Sequence, residues 1–364
     1  VDGLSPTGAS SAWHDFLLRL LPCFFGIANC FLVYRLTRRL YASPWTARCA
    51  ALLFAVAPFQ IYYAQELRIY SETVTLSLLA VTFMVDALRH DRLGDWAGYV
   101  ACLALLMYSH FFSMWIVFTL NVAFVAMGGQ HGNRLWRWTA ANALLMVLIS
   151  PALYVAFTFH AATQDLAIPW YPSPTWKTGL LSAKAFFASY SPTAWTYWPL
   201  ALGGMGLWIW GLTRWREATA ETILVVCLTW VPIVGCVWIW GRADFSFYEH
   251  RLFIFSGVIM LIGVARGITC LGRPGLGALV ALLLFMTPAL NDHYRHRLHP
   301  VLDHRLGVFD KVDFRFVART LADQWQPGDR LVYANLFSAY PMQHYFPKDQ
   351  VHLGWDQTTV AKYI

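Results

Sequence analysis

The sequence predicts an all-α polytopic membrane protein, a bundle of about ten transmembrane helices followed by the start of a small α/β domain. The 364 residues are 58% hydrophobic and 13% charged, whereas soluble domains have about 45–50% apolar and about 25% charged residues. Apolar runs of spanning length recur as far as residue 291, and the composition turns polar from residue 292. This composition excludes disordered, collagen-like and coiled-coil chains, and we expect the lipid bilayer, and no nucleic acid, as a partner.

A bilayer core about 30 Å thick requires about 20 apolar residues per helix. On that criterion the sequence predicts ten spans, at 16–36, 47–64, 72–88, 96–110, 111–128, 137–159, 196–213, 221–240, 252–270 and 275–291. The polar step Tyr108-Ser109-His110 divides the fourth span from the fifth. We interpret this step as a tight re-entry loop.

The distribution of basic residues predicts the orientation. One alternate set of loops carries twelve of them, namely Arg35, Arg38, Arg39, Arg48, Arg89, Arg92, Arg134, Arg137, Arg214, Arg216, Arg266 and Arg273. The opposite set carries five, namely Arg68, Lys177, Lys184, Arg242 and Arg251. Because cytoplasmic loops are enriched in Lys and Arg, the first set is predicted to be cytoplasmic. Residue 1, the 160–195 loop and the tail after residue 291 are therefore predicted to lie outside.

Three domains follow from this arrangement: the end of an extracytoplasmic loop at 1–15, the membrane domain at 16–291, and an incomplete soluble domain at 292–364. Within the 160–195 loop, residues 176–190 form a predicted interfacial helix whose aromatic side chains lie in the lipid boundary. Lys177 and Lys184, seven residues apart, share one face of that helix. In the last domain we predict a helix at about 311–325, a turn at 326–329 and a strand at 330–334.

Two polar clusters occur at outward helix ends. The first, at 58–70, contains Glu66 and Arg68, which are two residues apart and would not face each other on one helix. They either line a pocket with separate roles or simply solvate a helix end. The second cluster, at 108–112, contains His110, which is either functional or a hydrogen-bonded structural residue.

The third cluster, at 241–251, contains two arginines, two acidic residues and a histidine in a short outward loop. It is either functional or a solvated turn. Cations and aromatic side chains at the outer mouth of a helix bundle suit a phosphate with a lipid attached, since the cations bind the anion and the apolar walls hold the chain. Arginine suits this task because its planar fork binds two oxygens and keeps its charge.

The segment 58–70 resembles the motif P-x-x-I-Y-x-x-Q-E-x-R-x-Y of the GT-C glycosyltransferases, the membrane enzymes related to protein O-mannosyltransferases and lipid A aminoarabinose transferases. Weaker resemblances extend over most of 12–335, at 15–19, 33–40, 108–111, 248–253 and 325–330. The resemblance implies a multi-pass bacterial inner-membrane enzyme. It would transfer a sugar, with inversion, from a polyprenyl-phosphate donor to a glycan, lipid or protein acceptor on the extracytoplasmic face.

Carried onto this chain, the resemblance assigns catalytic roles to Glu66, which would orient the acceptor or the base, and to His110. The donor phosphate and lipid would be bound by residues around the same pocket, namely Tyr63, Arg68, Tyr70, Arg242 and Arg251. Lys177 and Lys184 are added to this set from their position alone. Arginines and lysines would stabilise the departing lipid phosphate, and one carboxylate base would accept the proton of the acceptor hydroxyl.

The family places its catalytic Asp in a first outward loop, after a first transmembrane helix. We therefore expect that helix and that Asp to precede Val1, since neither Asp2 nor Asp15 fits the position. No metal-ligand set occurs in the sequence, and a divalent cation, Mg²⁺ or Mn²⁺, would be expected only at that first loop. Two alternative functions share the same features: a transporter or flippase of lipid-linked sugars, and a catalytically inactive membrane scaffold.

Overall fold

The structure is a computed structural model that describes residues 8–128, 134–163, 173–242, 248–299, 314–326, 329, 331–333, 342, 345 and 351–353. The chain divides into two compact units. One comprises Leu18–Val308, and the other comprises Val1–Leu17 with Phe309–Ile364.

Thirteen α-helices occur in the described residues. They are α1 (Gly8–Tyr41), α2 (Pro44–Val56), α3 (Pro58–Ala64), α4 (Tyr70–His90), α5 (Leu93–Ser109), α6 (Met114–Ala126), α7 (Leu135–Thr163), α8 (Trp176–Ala188), α9 (Ala194–Leu212), α10 (Thr219–Trp240), α11 (Ile254–Cys270), α12 (Pro274–Tyr294) and α13 (Phe314–Gln324). Short 3-10 helices occur at Phe111–Ser113, Trp215–Glu217 and His250–Phe253, and two strands are β1 (Leu331–Tyr333) and β2 (Val351–Leu353).

Each predicted span coincides with a helix, which confirms the helical membrane fold. Within the part of the chain that the structure describes, six helices are long and apolar enough to cross a membrane, and the bent pair α2 and α3 would make a seventh. The predicted spans 96–110, 111–128 and 196–213 are helical but fall outside that set. Helix α1 begins at Gly8, before the predicted start at residue 16, so residues 8–15 are helical and are not part of a loop.

A proline, Pro58, breaks the second predicted span near its outward end. The residue before a proline avoids the helical conformation, and Ala57, which precedes Pro58, is extended with φ −66° and ψ 116°. Helix α2 therefore stops, and α3 leaves it at 60°. Helix α3 is only seven residues long, so its polar C-terminal end lies beside the first turn of α4.

Helix α11 forms the centre of the bundle. It is almost entirely apolar and is buried along nearly its whole length, packing against α2, α4, α8, α9, α10 and α12. A helix of this pattern requires other helices around it. The close approach to α9 depends on small residues, since Gly263 and Gly267 are four apart and a Cβ on Gly267 would lie 1.8 Å from the Leu207 carbonyl oxygen.

We expect Gly267→Ala to destabilise the protein, because the added methyl group meets backbone that cannot move unless the two helices separate. Overpacking of this kind costs about 1–3 kcal/mol. Gly277→Ala is the matched control, since open space surrounds Gly277 on α12. Thermal unfolding in detergent should show a lower midpoint for Gly267→Ala and an equal or higher one for Gly277→Ala. Equal midpoints for the two variants would contradict the close contact.

Ion pairs gather the predicted cytoplasmic arginines at one end of the bundle. Arg39 binds Asp86 at 2.9 Å, Arg89 binds Glu221 at 2.6 Å, and Arg137 binds Asp91 at 3.1 Å. Partly exposed pairs such as these contribute little stability, but they fix which helix ends meet. The ends of α1, α4, α7 and α10 that carry basic residues lie together, as the alternation of loops predicts.

The smaller unit contains α13 and the parallel pair β1 and β2. Helix α13 presents one apolar face, on which Ala318, Leu321 and Met342 form a small cluster. The predicted helix at 311–325 is thus confirmed at Phe314–Gln324. The turn is marked by a hydrogen bond from the Asp329 amide to the Gln326 carbonyl at 3.0 Å, and β1 follows it at Leu331. A parallel strand pair needs a crossover connection, which agrees with the predicted α/β class.

Candidate active site

The loop 65–69 joins α3 to α4 at the end of the bundle opposite the basic loops. Glu66 is buried in this loop, with 9% exposure, whereas Arg68 is exposed. A side-chain hydrogen bond joins Glu66 to Tyr62 on α3, and the Arg68 amide donates to the Glu66 carbonyl at 2.8 Å. The two residues therefore have separate environments, and they lie in a loop and not on a helix.

Four tyrosines surround this loop. The hydroxyl groups of Tyr63 and Tyr190 are 2.6 Å apart, and the Tyr63 ring lies 4.9 Å from that of Tyr62 and 4.8 Å from that of Tyr70. Burial raises the pKa of Tyr190 above its ordinary value, so this phenol stays protonated at physiological pH. The cluster gives the pocket an apolar wall with hydroxyl groups that can donate hydrogen bonds.

A charged pair lies against this cluster. Arg251 forms a salt bridge with Glu249, which is 9% exposed. The Arg251 guanidinium carbon lies 5.9 Å from the centre of the Tyr70 ring, and both Arg68 and Arg251 interact electrostatically with Tyr70. The polar loop before α4 and the segment before α11 therefore meet at Tyr70, although they are distant in sequence.

A small cavity of about 30 Å³ lies at this meeting point. Three of the predicted site residues, Tyr70, His110 and Arg251, contribute to its lining. The remaining wall is mostly apolar and includes Phe112, Trp115, Leu228, Pro232, Phe253 and Phe255. A cavity with a few convergent polar groups in an apolar wall is the usual form of a ligand site.

His110 has a defined hydrogen-bonding role in this cavity. Its Nδ1 accepts a hydrogen bond from the Phe112 amide at 3.1 Å, which caps the 3-10 helix at Phe111–Ser113. An imidazole that accepts at Nδ1 carries its proton on Nε2 when neutral. Nδ1 therefore has a structural role, while Nε2 is left to donate to a ligand, and the functional role of His110 stays a prediction.

Helix α8 places a second cation near the site. Lys184 is buried, with 8% exposure, and its Nζ lies 3.5 Å from the centre of the Tyr197 ring. The Ser182 hydroxyl is 2.6 Å from the Tyr248 hydroxyl and 2.8 Å from His250 Nδ1. These three residues connect α8 to the segment that carries Glu249 and Arg251. The sequence contained no pattern that singled out Ser182.

Two predicted site residues lie apart from this arrangement. Lys177 is exposed beside Trp176, and Arg242 is exposed and donates to the Trp238 carbonyl at 2.9 Å. Residues 243–247 of the third cluster lie outside the described residues. The prediction that α8 lies at the lipid boundary with its aromatic side chains in lipid is wrong for Phe186 and Phe187, which are buried against Phe59 and Gly204 in the core.

The end of α12 adds polar contacts that the sequence analysis missed. The buried Asp292 accepts hydrogen bonds from the hydroxyls of Ser191 at 2.6 Å and Thr193 at 2.8 Å. His293 Nε2 lies 3.2 Å from Gln65 Oε1, in the loop that contains Glu66. Polar residues at the end of an apolar helix are the available signal, but Asp292 and His293 fall after residue 291, where the sequence predicts the start of the soluble domain and the structure continues α12 to Tyr294.

Burial lowers the pKa of Lys184 to about 8, because the ammonium loses water. No salt bridge involves this residue within the described part of the chain. The described contact of the ammonium is the cation–π contact with the Tyr197 ring. In the folded protein Lys184 is thus a buried cation that lies against an aromatic ring.

We therefore expect Lys184→Met to raise the thermal midpoint of the ligand-free protein at pH 7, with Lys177→Met as the exposed control. The folded pKa is lower than the unfolded one, so the unfolded state binds the extra proton between about pH 8 and about pH 10.4. The stability of the wild-type chain should rise across that window, and the advantage of Lys184→Met should shrink there. A lower midpoint for Lys184→Met at pH 7 would show that the ammonium has a stabilising partner.

Across the described residues, no group of three or more His, Cys, Asp or Glu side chains could hold a metal ion. The expected divalent cation therefore stays a prediction for the loop that the family places upstream. Asp15 lies in α1, and Asp2 is outside the described residues.

Residues 11–155 match the family model described as dolichyl-phosphate-mannose-protein mannosyltransferase. The fold is similar to that of ArnT from Cupriavidus metallidurans in the apo state, with a TM-score of 0.58 and 11% identity over 94% of this chain and 72% of that one. It is also similar to the oligosaccharyltransferase of Archaeoglobus fulgidus in the apo form, with a TM-score of 0.51 and 14% identity.

The chain spans 48% of the length of the archaeal enzyme, and 91% of this chain takes part in that match. No curated protein sequence matches the chain. At these identities the structural similarities show the fold. The family match at residues 11–155 includes the 58–70 motif, so this part of the chain is similar in sequence to the dolichyl-phosphate-mannose-protein mannosyltransferases, and the chain as a whole shares the fold of the two solved structures.

Proposed function

We propose that this protein is an inverting glycosyltransferase that moves a sugar from a polyprenyl-phosphate donor to an acceptor hydroxyl. The observation that carries the proposal is the cavity in which Tyr70, His110 and Arg251 meet a mostly apolar wall. An arginine and a histidine donor suit a phosphate, and the aromatic and aliphatic wall suits the first isoprene units of its lipid.

The chemistry requires one bond to form and one to break. The acceptor oxygen attacks the anomeric carbon, the bond from that carbon to the phosphate oxygen breaks, and the proton of the acceptor passes to a carboxylate base. The lipid phosphate leaves as an anion, so no general acid is needed. Arg251 is positioned to stabilise the charge that develops on the leaving phosphate, which is where a preorganised cation has its largest effect.

The basic helix ends support an outward position for the cavity. They gather at the opposite end of the bundle, and such residues mark the cytoplasmic side. We therefore propose a multi-pass inner-membrane location in bacteria, with the cavity open to the periplasm. The donor is then a lipid-linked sugar in the outer leaflet, and the acceptor is a glycan, lipid or protein of the cell envelope.

The test is a transfer assay on the intact protein in proteoliposomes with a panel of polyprenyl-phosphate sugars, with Mg²⁺ or Mn²⁺ and with EDTA. We expect release of polyprenyl phosphate in step with glycosylation of the acceptor. Arg68→Ala should abolish transfer and leave membrane insertion unchanged, whereas Arg295→Gln, an exposed change at the end of α12, should remain active. Full activity of Arg68→Ala would refute the phosphate role of Arg68.

A transporter gives a different result in the same vesicles. It would move the intact donor across the bilayer and would release no polyprenyl phosphate. That outcome would overturn the proposed transfer reaction.

A further inference from the structure

A second cavity, of about 450 Å³, lies at the basic end of the bundle. Its wall includes residues near the end of α4, such as Leu88 and Arg89, and near the start of α10, such as Glu221 and Leu224. Helix α4 begins at Tyr70, which borders the first cavity, and has 21 residues. Such a helix is about 32 Å long, which is close to the thickness of the bilayer core. The two cavities therefore lie at opposite membrane faces.

The lining of this second cavity is amphipathic. One part is apolar and comprises Leu40, Met84, Val85, Leu88, Met127 and Leu224. The other part is charged and contains Arg89, Arg134, Glu217 and Glu221. An apolar wall beneath a charged rim at a membrane face matches a lipid, with its chains along the wall and its headgroup at the rim.

The carboxylates at the rim are already neutralised. Glu221 binds Arg89 at 2.6 Å, and Glu217 binds both Arg214 at 3.0 Å and Arg266 at 2.7 Å. Arg134 donates to the Arg89 carbonyl oxygen at 3.2 Å and forms no salt bridge with a residue that the structure describes. The lining itself has two arginines and two carboxylates. Because Arg214 and Arg266 pair with Glu217 from outside the lining, the group of six residues has an excess of two positive charges, and the ligand that fits it is an anion.

We propose that this cavity binds the phosphate headgroup of an anionic phospholipid from the cytoplasmic leaflet, with Arg134 as the main phosphate contact. The backbone at the start of α10 adds to the attraction, because Ala218 precedes this helix without a side-chain cap and residues 218–221 line the cavity. Free amide groups at a helix N-terminus favour a negative charge.

The experiment is native mass spectrometry of the delipidated protein titrated with phosphatidylglycerol, and with phosphatidylcholine as the neutral lipid. We expect one tightly held phosphatidylglycerol and roughly tenfold weaker binding in Arg134→Gln, the effect of losing one hydrogen bond to a charged group. Arg273→Gln is the matched control, since Arg273 is exposed at the same face, at the start of α12, and does not line the cavity.

Arg134 is half-buried and forms no salt bridge with a described carboxylate, so its replacement should leave the fold intact, as gel filtration can verify. Equal affinity for both lipids, or an unchanged affinity in Arg134→Gln, would overturn the proposal. Displacement of phosphatidylglycerol by an equal concentration of inorganic phosphate would also overturn it, because the site would then recognise a soluble anion. Sugar transfer is a separate measurement, so failure of the proposed function would leave this result unaffected.

Discussion

Arg251→Gln is expected to lower kcat/KM for sugar transfer by about 100-fold or more, the usual effect of removing one preorganised donor from a developing anion. Arg251 is the only arginine on the wall of the outward cavity in the described part of the chain, and it lies against Tyr70. Its position is fixed by Glu249, the carboxylate that forms the salt bridge with it. Glutamine keeps a polar side chain but supplies no charge to the leaving phosphate.

Loss of activity in this variant could also arise from instability, because Glu249 would be left buried without its cation, which is costly. The double variant Glu249→Gln/Arg251→Gln removes that cost. It should recover the thermal midpoint while remaining as inactive as the single variant. Arg251→Lys retains the charge and loses the planar fork, so we expect intermediate activity. Wild-type activity in the double variant would show that Arg251 takes no part in sugar transfer.

The sequence predicted the helical fold well because membrane insertion leaves a strong and local signal. Apolar runs of spanning length and the alternation of basic loops depend only on neighbouring residues and on the bilayer. The points at which helices end were equally visible in the sequence, since α2 stops at Ala57-Pro58 and α5 ends just before His110. The small α/β unit was recognisable from the turn residues around Asp329.

The contacts of the candidate site were harder to predict, because they join residues that are distant along the chain. Tyr63 meets Tyr190, and Ser182 meets His250, through the packing of α8 against the bundle. The sequence put Lys177 and Lys184 on one helix face, but tertiary packing buried one and exposed the other. Sequence periodicity indicates which residues share a helix face. Whether that face packs against another helix, lipid or water depends on how the helices are arranged.

Glu66→Gln is expected to lower kcat by about 100-fold or more, the range associated with a general acid–base group, with little change in KM for the donor. Glu66 is buried beside the tyrosine cluster and bonds to Tyr62. Glutamine has nearly the same volume and can still accept the Tyr62 hydrogen bond, so the loop should keep its conformation. What the variant loses is the negative charge that would orient the acceptor or the base.

Glu72→Gln is the matched control, since Glu72 lies in the first turn of α4 and accepts a hydrogen bond from Ser109 at 2.8 Å, away from Glu66. Tyr62→Phe tests the positioning of Glu66 separately, because it removes the hydrogen bond and leaves the carboxylate in place. We expect the rate to fall in the order wild type, Tyr62→Phe, Glu66→Gln, with unfolding midpoints close to that of the wild type. If Glu66→Gln instead unfolds early and retains its specific activity, Glu66 holds the loop and takes no part in transfer.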